Sequence, residues 1–594
     1  MNKNTIVYIL CVFSFFFVHS QNQKQKSPID IPMESIFVHK NSEVLFSGER
    51  LLFGVHVRDL STEKASDLSK MAYVQLLGEE VKPIFLKKVE LKNGFGHGDF
   101  RVGADIETGT YKLMAYTQLA RNSDAHKYFE TDIFIINPYI QLRERNVVSQ
   151  TTDSLAKTLD NQIVDMGSSR DEIQNNILSS LVDIELDKEI YGKRETGRLE
   201  INSGVSLNGA VLSLSIRKKE AINGPVSISA VDYHSKMIKG TKNRFIDVSE
   251  IKWLPELRGD HLTGRLLQVS DSFPVPDTQV VMSIPGSEYI VDIARTDASG
   301  RFGFWLEGQY PQTRNGFMQI IGDASDETFI VLDKEGPLLP DNLVFNDFKI
   351  DKTLEDIILQ RSIQNQLQNA YLAPIPGTME VTTTDSQPYY RSFDTQYILD
   401  EYTRFGSMEE TFVEVVEQAW IENVESDDPQ FKIRPLPQYP QDIVEEPLVI
   451  LDGQVVLDHD LIIGIPAREM ESIAVSRKKI FMGSKLYQGI LHFESKDGKY
   501  WERFPMKNTT ILEIERSSLL RTYPEFQYDY LSNMSSDLPD FRRQLYWNPK
   551  IKVSGDTFGL NIWTSDVTGE YEIRVEGFTE EGKPISGYQK FEVE

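Results

Sequence analysis

Two stretches near opposite ends of the chain share one pattern: Gly109-Thr-Tyr-Lys-Leu-Met-Ala115 and Gly569-Glu-Tyr-Glu-Ile-Arg-Val575. Each has a glycine, a tyrosine two residues on, and then apolar residues at alternate positions. Alternation of period two puts the apolar side chains on one face of an extended backbone, so both stretches predict half-buried strands. The recurrence predicts a string of related β-sandwiches rather than one large core. At about 100–200 residues per domain, 594 residues imply several domains. A hydrophobic content of 40%, with 24 Tyr and 32 Phe, supplies their cores.

Residues 30–138 predict the first sandwich. Leu51-Leu-Phe-Gly-Val-His-Val57, Tyr73-Val-Gln-Leu-Leu77, Ile84-Phe-Leu-Lys-Lys-Val-Glu-Leu91 and Thr110-Tyr-Lys-Leu-Met-Ala-Tyr116 are closely spaced strands, and Asn93-Gly94 marks a hairpin-type turn. Ser47-Gly48-Glu49, Asn93-Gly94 ahead of Gly98-Asp-Phe100, and Thr108-Gly109-Thr110-Tyr111 together resemble the MG2-type domain of α-2-macroglobulins. Macroglobulins trap proteases with a cysteine thioester, and the only cysteine here is Cys11. Residues 139–180 are polar and predict a linker with some helix. Residues 181–250 predict a second sandwich, marked by Val211-Leu-Ser-Leu-Ser-Ile216, and 258–345 a third, marked by Thr278-Gln-Val-Val-Met-Ser-Ile284. The turn Thr296-Asp-Ala-Ser-Gly300 before Arg301-Phe-Gly-Phe-Trp305 is similar to carboxypeptidase-regulatory-like modules.

Residues 350–425 change character. Leu354, Ile357, Ile358, Ile363, Leu367 and Leu372 fall at helical spacing. After a Pro/Thr-rich connector, a second helix is predicted over 407–421. Ser407 and Glu410 have the spacing of a capping box, and Met408, Phe412, Val415, Val416, Ala419 and Trp420 form one apolar face. Tyr389, Tyr390, Phe393, Tyr397, Tyr402 and Phe405 suit either core packing or a binding surface. Residues 540–594 predict a last, C-terminal sandwich, opened by Tyr546-Trp-Asn-Pro549.

Between these lies a segment of another kind, 440–500. Pro447-Leu-Val-Ile-Leu-Asp-Gly453, Arg468-Glu-Met-Glu-Ser-Ile-Ala-Val475 and Tyr487-Gln-Gly-Ile-Leu-His-Phe493 resemble the plug domain of TonB-dependent outer-membrane receptors. The expected order is strand, turn, helix, strand, loop, strand. In those receptors a large β-barrel follows the plug, whereas only about 100 residues follow Phe493. The resemblance therefore implies a docking part of an envelope machine rather than a transporter. The whole order, with Leu399-Asp-Glu-Tyr-Thr-Arg-Phe405 before Met408-Glu-Glu410, is similar to a set of Bacteroidetes envelope proteins.

The first twenty residues fit an export signal. Lys3 is followed by the apolar run Ile6 to Val18, and Val18-His19-Ser20 suits a cleavage site. Removal of residues 1–20 takes Cys11 with it and excludes disulfides, thiolate metal sites and cysteine nucleophiles from what remains. The formal charge of −26 makes nucleic acid and anionic lipid poor partners. No later segment is long and apolar enough to span a bilayer, so the mature chain is expected to have no transmembrane segment.

Catalytic signatures are sparse. No two of the nine histidines lie within four residues, so no local zinc motif occurs. Gly94, Gly96 and Gly98 beside His97 lead into a predicted strand, where a phosphate loop needs a helix. His459, between Asp458 and Asp460, reads as a solvated loop residue, with an acid/base role as the alternative. Glu409 and Glu410 suit a helix start. Asp153-Ser154-Leu155 resembles the O-glycosylation acceptor of this bacterial group.

No catalytic, cofactor-binding or metal-binding residue is assigned, and no cofactor is expected. The expected fold is mainly β and multidomain: several Ig-like or MG-type sandwiches plus a small α+β plug-like domain. The expected function is a non-enzymatic, exported scaffold, associated with the outer membrane on its periplasmic or surface face. Its expected partner is an outer-membrane β-barrel protein or complex serving transport, secretion or assembly. The alternatives are a thioester-less macroglobulin-like protease binder, with bait segments at 140–180 or 373–395, and a glycan-active enzyme.

Overall fold

The computed structural model describes residues 30–594 except 124–126, 142–181, 220–221, 223, 241–243, 287–288, 307–314, 323–326, 334–335, 372–388, 425–427, 440–444, 504–508, 515–520, 522, 524–525, 527, 529–538, 554 and 556. The export signal, most of the 139–180 linker, Asp153-Ser154-Leu155 and most of both bait candidates lie outside the described residues. The chain is mainly β and multidomain.

The first sandwich is built from contiguous chain. A three-stranded sheet orders Glu34–Lys40, Arg50–Asp59 and Phe95–Arg101. It faces a five-stranded sheet of Val44–Phe46, Phe129–Ile136, Gly109–Tyr116, Met71–Leu77 and Pro83–Glu90. Ile36, Val38, Phe53, Val55, Val74, Leu76, Leu113, Ile133 and Ile135 fill the space between. Asn93 and Gly94 have φ of 52° and 70°, the left-handed pair of a type I′ turn. A Cβ on Gly94 would meet Val57 O at 2.6 Å, so glycine is required by space as well as conformation. The strands this turn joins belong to opposite sheets, so it is a corner rather than a hairpin within one sheet.

The two segments read from sequence as separate sandwiches, 181–250 and 540–594, form one. Val182–Leu186 and Thr196–Ser203 pair in sequence order with Thr557–Trp563. The opposing sheet orders Ile190–Tyr191, Pro584–Val593, Gly569–Phe578, Val211–Lys218 and Gln544–Lys552. Val211–Lys218 thus has both neighbours from the far end of the chain. Its inward residues Leu212, Leu214 and Ile216 pack with Ile573, Val575 and Ile585. The strand pattern was legible; the partner was not, because alternation encodes a face and not a neighbour.

The third sandwich repeats this device. Arg301–Leu306, Asp260–Gln268 and Thr328–Leu332 form one sheet. Ile290–Arg295, Gln279–Ile284, Asn315–Ile321 and Thr509–Glu513 form the other, so the range 258–345 lacks its closing strand. The fourth unit, lying between these two parts of the third, is a mixed sheet. It orders Thr395–Ile398, Met470–Ser476, Ile490–Ser495, Leu448–Leu451 and Gln454–Val455. Leu448–Leu451 runs parallel to Ile490–Ser495, and the other pairs are antiparallel. This sheet takes an edge strand from before residue 440, so 440–500 is too narrow and 350–425 too wide. The domains are therefore nested: the mixed sheet lies within the third sandwich, and the third within the second.

Ser407 caps the helix Met408–Glu414, its hydroxyl accepting from the Glu410 N–H at 3.2 Å. Glu410 returns to the Gly406 N–H at 3.0 Å, one residue before the expected cap amide. The helix is shorter than 407–421. It ends before the β-branched pair Val415-Val416, and Ala419–Glu422 pairs as a strand with Gln430–Ile433. No helix among the described residues is long and apolar enough to cross a membrane.

Candidate functional site

The continuous apolar run 448–451 is explained by burial on both faces. Val449 and Leu451 point to one core with Leu491, Phe493, Phe412, Phe431 and Ile462. Leu448 and Ile450 point the other way, with Ile490, into a core shared with Val281, Val291 and Ile293 of the third sandwich. At the seam the Val455 N–H donates to Ser283 Oγ at 3.1 Å. Asp452 and Gly453 make the expected turn with φ of 49° and 86°. A Cβ on Gly453 would sit 2.4 Å from Tyr289 Cβ, so the turn fits against the sandwich only as glycine. Asp452 is a structural acid: it accepts from the Ser495 N–H at 2.7 Å and the Tyr500 N–H at 2.8 Å.

The aromatic cluster divides along this seam. Tyr390 and Phe393 join the shared core, Phe393 stacking on His492 at 5.6 Å. Tyr397 and Phe405 join the helix-side core, while Tyr402 is largely exposed. Large apolar residues stand among the exposed side chains of this unit. Phe481 is 71% exposed in the hairpin Ile480–Met482/Lys485–Tyr487, and Val413 on the short helix is 81% exposed. Leu457 and Leu461 are also exposed.

His459, His492, His56 and His39 are buried in the fold. His459 is buried, not solvated: the Phe431 N–H donates to its Nδ1 at 3.2 Å, and burial lowers its pKa to about 4. Burial likewise holds His492 at about 4 and His56 at about 3, so all three are neutral at pH 7. His39 Nδ1 lies 2.5 Å from Ser213 Oγ, within reach for activating a nucleophile. The seryl hydroxyl, however, donates to Glu576 O at 3.0 Å, which makes Ser213 the acceptor from His39. Ser213 is also 0% exposed, so the pair is a core hydrogen bond. Gly94, Gly96 and His97 lead into or lie in the strand Phe95–Arg101, as expected. Among the described residues no group of three or more His, Cys, Asp or Glu side chains could hold a metal ion.

A second junction was missed from sequence. On the helix Glu355–Tyr371, Ile357 and Ile363 face solvent, while Arg361 is 1% exposed. Arg361 donates to Glu49 through Nε at 2.9 Å and Nη2 at 2.7 Å, and its guanidinium lies 4.1 Å from the centre of the Phe46 ring. Arg217 of the second sandwich reaches the same carboxylate at 3.4 Å. Burial alone would raise the Glu49 pKa, but Arg361 and then Arg217 overcome it and hold it at about 2. One acid therefore joins two sandwiches and a helix. The faint signal was the polar residue at helical spacing inside an apolar stripe.

These features define the class: a mainly β, multidomain protein of Ig-like sandwiches carrying a mixed-sheet domain. No protein-family model matches the chain, and no curated protein sequence matches it. Solved structures that align with it include a Salmonella α-2-macroglobulin reacted with methylamine, at 8% identity and a TM-score of 0.23, over 96% of this chain and 40% of that one. A trypsin-activated α-2-macroglobulin from Escherichia coli aligns at 10% identity and a TM-score of 0.22, over 96% and 42%. Dimeric latent PorU from Porphyromonas gingivalis aligns at 12% identity and a TM-score of 0.14, over 51% and 34%. The chain thus spans about 40% of the length of the macroglobulins it aligns with. Scores this low carry no assignment of activity or partner.

Proposed function

We propose that this chain is a non-enzymatic scaffold of a Bacteroidetes-type cell envelope, exported by its N-terminal signal, that holds a plug-like domain against an outer-membrane barrel protein. The observation that carries this reading is the clamping of the mixed sheet between its own helix and the third sandwich. A sheet buried on both faces is fixed in orientation and meets a partner only through the elements around it. The elements around it, its helix and the hairpin Ile480–Met482/Lys485–Tyr487, carry Val413 and Phe481, large apolar residues that the fold itself leaves uncovered. The partner surface is protein, since a charge of −26 disfavours nucleic acid and anionic lipid.

Deleting residues 440–500 would expose the third sandwich core, so surface substitutions make the cleaner test. The tagged chain is purified in mild detergent from its own outer membrane, alongside Phe481→Glu and Val413→Glu. A stoichiometric barrel protein lost from either variant, with unfolding midpoints unchanged, supports docking. A monomer without a partner sinks it and moves protease binding and glycan hydrolysis forward.

A further inference from the structure

A cleft of 590 Å³ separates the first sandwich from the helix Glu355–Tyr371. That volume lies within the roughly 300–1,000 Å³ typical of small-ligand sites. One wall is formed by Ser47, Gly48 and 102–104; the other is an amide row, Asn365, Gln366 and Asn369. The row is fixed in place: Asn365 Nδ2 donates to Ser47 O at 2.8 Å, and Asn369 Nδ2 donates to Asn365 Oδ1 at 2.9 Å. Gly48, at φ 89°, permits this approach, since a Cβ there would lie 3.0 Å from Asn365 Nδ2. These bonds leave Asn369 Oδ1 uncommitted.

Two further side chains line the cleft, Arg101 and Tyr139, whose hydroxyl accepts from Ser362 Oγ at 3.5 Å. Tyr139 is 52% exposed. Arg101 is exposed and makes no ion pair with a described carboxylate, in a chain whose acids outnumber bases 89 to 63. Other arginines nearby are engaged, as Arg50 is with Asp99 and Arg361 with Glu49.

We propose that this cleft binds an acidic oligosaccharide. A sugar hydroxyl both donates and accepts, as does a carboxamide. A tyrosine ring offers an apolar face to the C–H side of a pyranose. A free guanidinium selects a carboxylate in bidentate geometry. This site is independent of the docking surface.

The test is isothermal titration of the signal-free chain with trigalacturonate, maltotriose and hexaglutamate. Trigalacturonate is expected to bind, maltotriose to bind roughly tenfold more weakly for want of the charged hydrogen bond, and hexaglutamate not to bind. Arg101→Ala should abolish the preference for the acidic sugar, and Tyr139→Ala should weaken both sugars, while Arg198→Ala, an exposed charge on another domain, changes nothing. Absence of sugar binding, an unaltered Arg101→Ala or Tyr139→Ala variant, or hexaglutamate binding equal to trigalacturonate would overturn the proposal. Equal affinity for maltotriose would overturn its acidic part.

Discussion

The first and second sandwiches share one architecture, a three-stranded sheet on a five-stranded sheet, and differ in how the chain completes them. The first closes within residues 34–136. The second is left open at Lys218 and closed only from Gln544 onward, after the third sandwich and the mixed sheet have been threaded between. Local closure requires little loop entropy; distant closure requires that the inserted units order their own ends first. Similar cores can therefore depend very differently on the rest of the molecule.

The sharpest way to break this comparison is to separate the parts. A fragment of residues 30–138 should retain β-structure and unfold cooperatively, whereas a fragment of 182–340 should show neither, because both sheets of the second sandwich and one of the third lack strands; circular dichroism with urea titration decides. Next in size is Arg361→Ala. It removes a buried partner of Glu49 and should lower stability by about 3–5 kcal/mol in denaturant unfolding. Ile490→Ala empties a site in the core shared between mixed sheet and third sandwich, and should cost about 2–5 kcal/mol. If those two units unfolded in separate transitions in the native chain, the clamp would not exist.

The smallest expected effect is electrostatic. Burial raises the Glu576 pKa to about 7, although its carboxylate accepts from the Ala230 N–H at 2.8 Å and Ser586 Oγ at 2.6 Å. The folded value lies above the unfolded one, so this group's stabilising contribution is complete below about pH 4.5 and is lost as pH rises towards 7. The loss is on the order of 2–3 kcal/mol. Glu576→Gln should flatten that part of the pH–stability curve. Glu49 has the opposite sign: its contribution is complete above about pH 4.5 and is lost as pH falls through about 2.

Legibility from sequence followed the range of the information. Strands Gly109–Tyr116 and Gly569–Phe578 were readable because alternation is local, and the Asp452-Gly453 turn because its backbone demands are local. The pairing of Val211–Lys218 with strands beyond residue 543 left no local trace. The helix Glu355–Tyr371 was found, but the inward place of Arg361 was not, since apolar periodicity cannot anticipate that an arginine is buried by an acid from another domain. Val415 and Val416 continued a helical stripe in sequence, yet the chain turned there to pair Ala419–Glu422 with Gln430–Ile433. For the same reason the buried role of His459 was missed: its donor, the Phe431 amide, comes from that hairpin.

The nested order also ties an early strand to chain that is made late. Val211–Lys218 is hydrogen-bonded on both sides by strands that begin at Gln544 and Gly569. A ribosome that stops before residue 544 releases a chain whose central strand has two bare edges, open to proteolysis and to mispairing with other strands. Pairing of that strand therefore waits on the late-made strands Gln544–Lys552 and Gly569–Phe578.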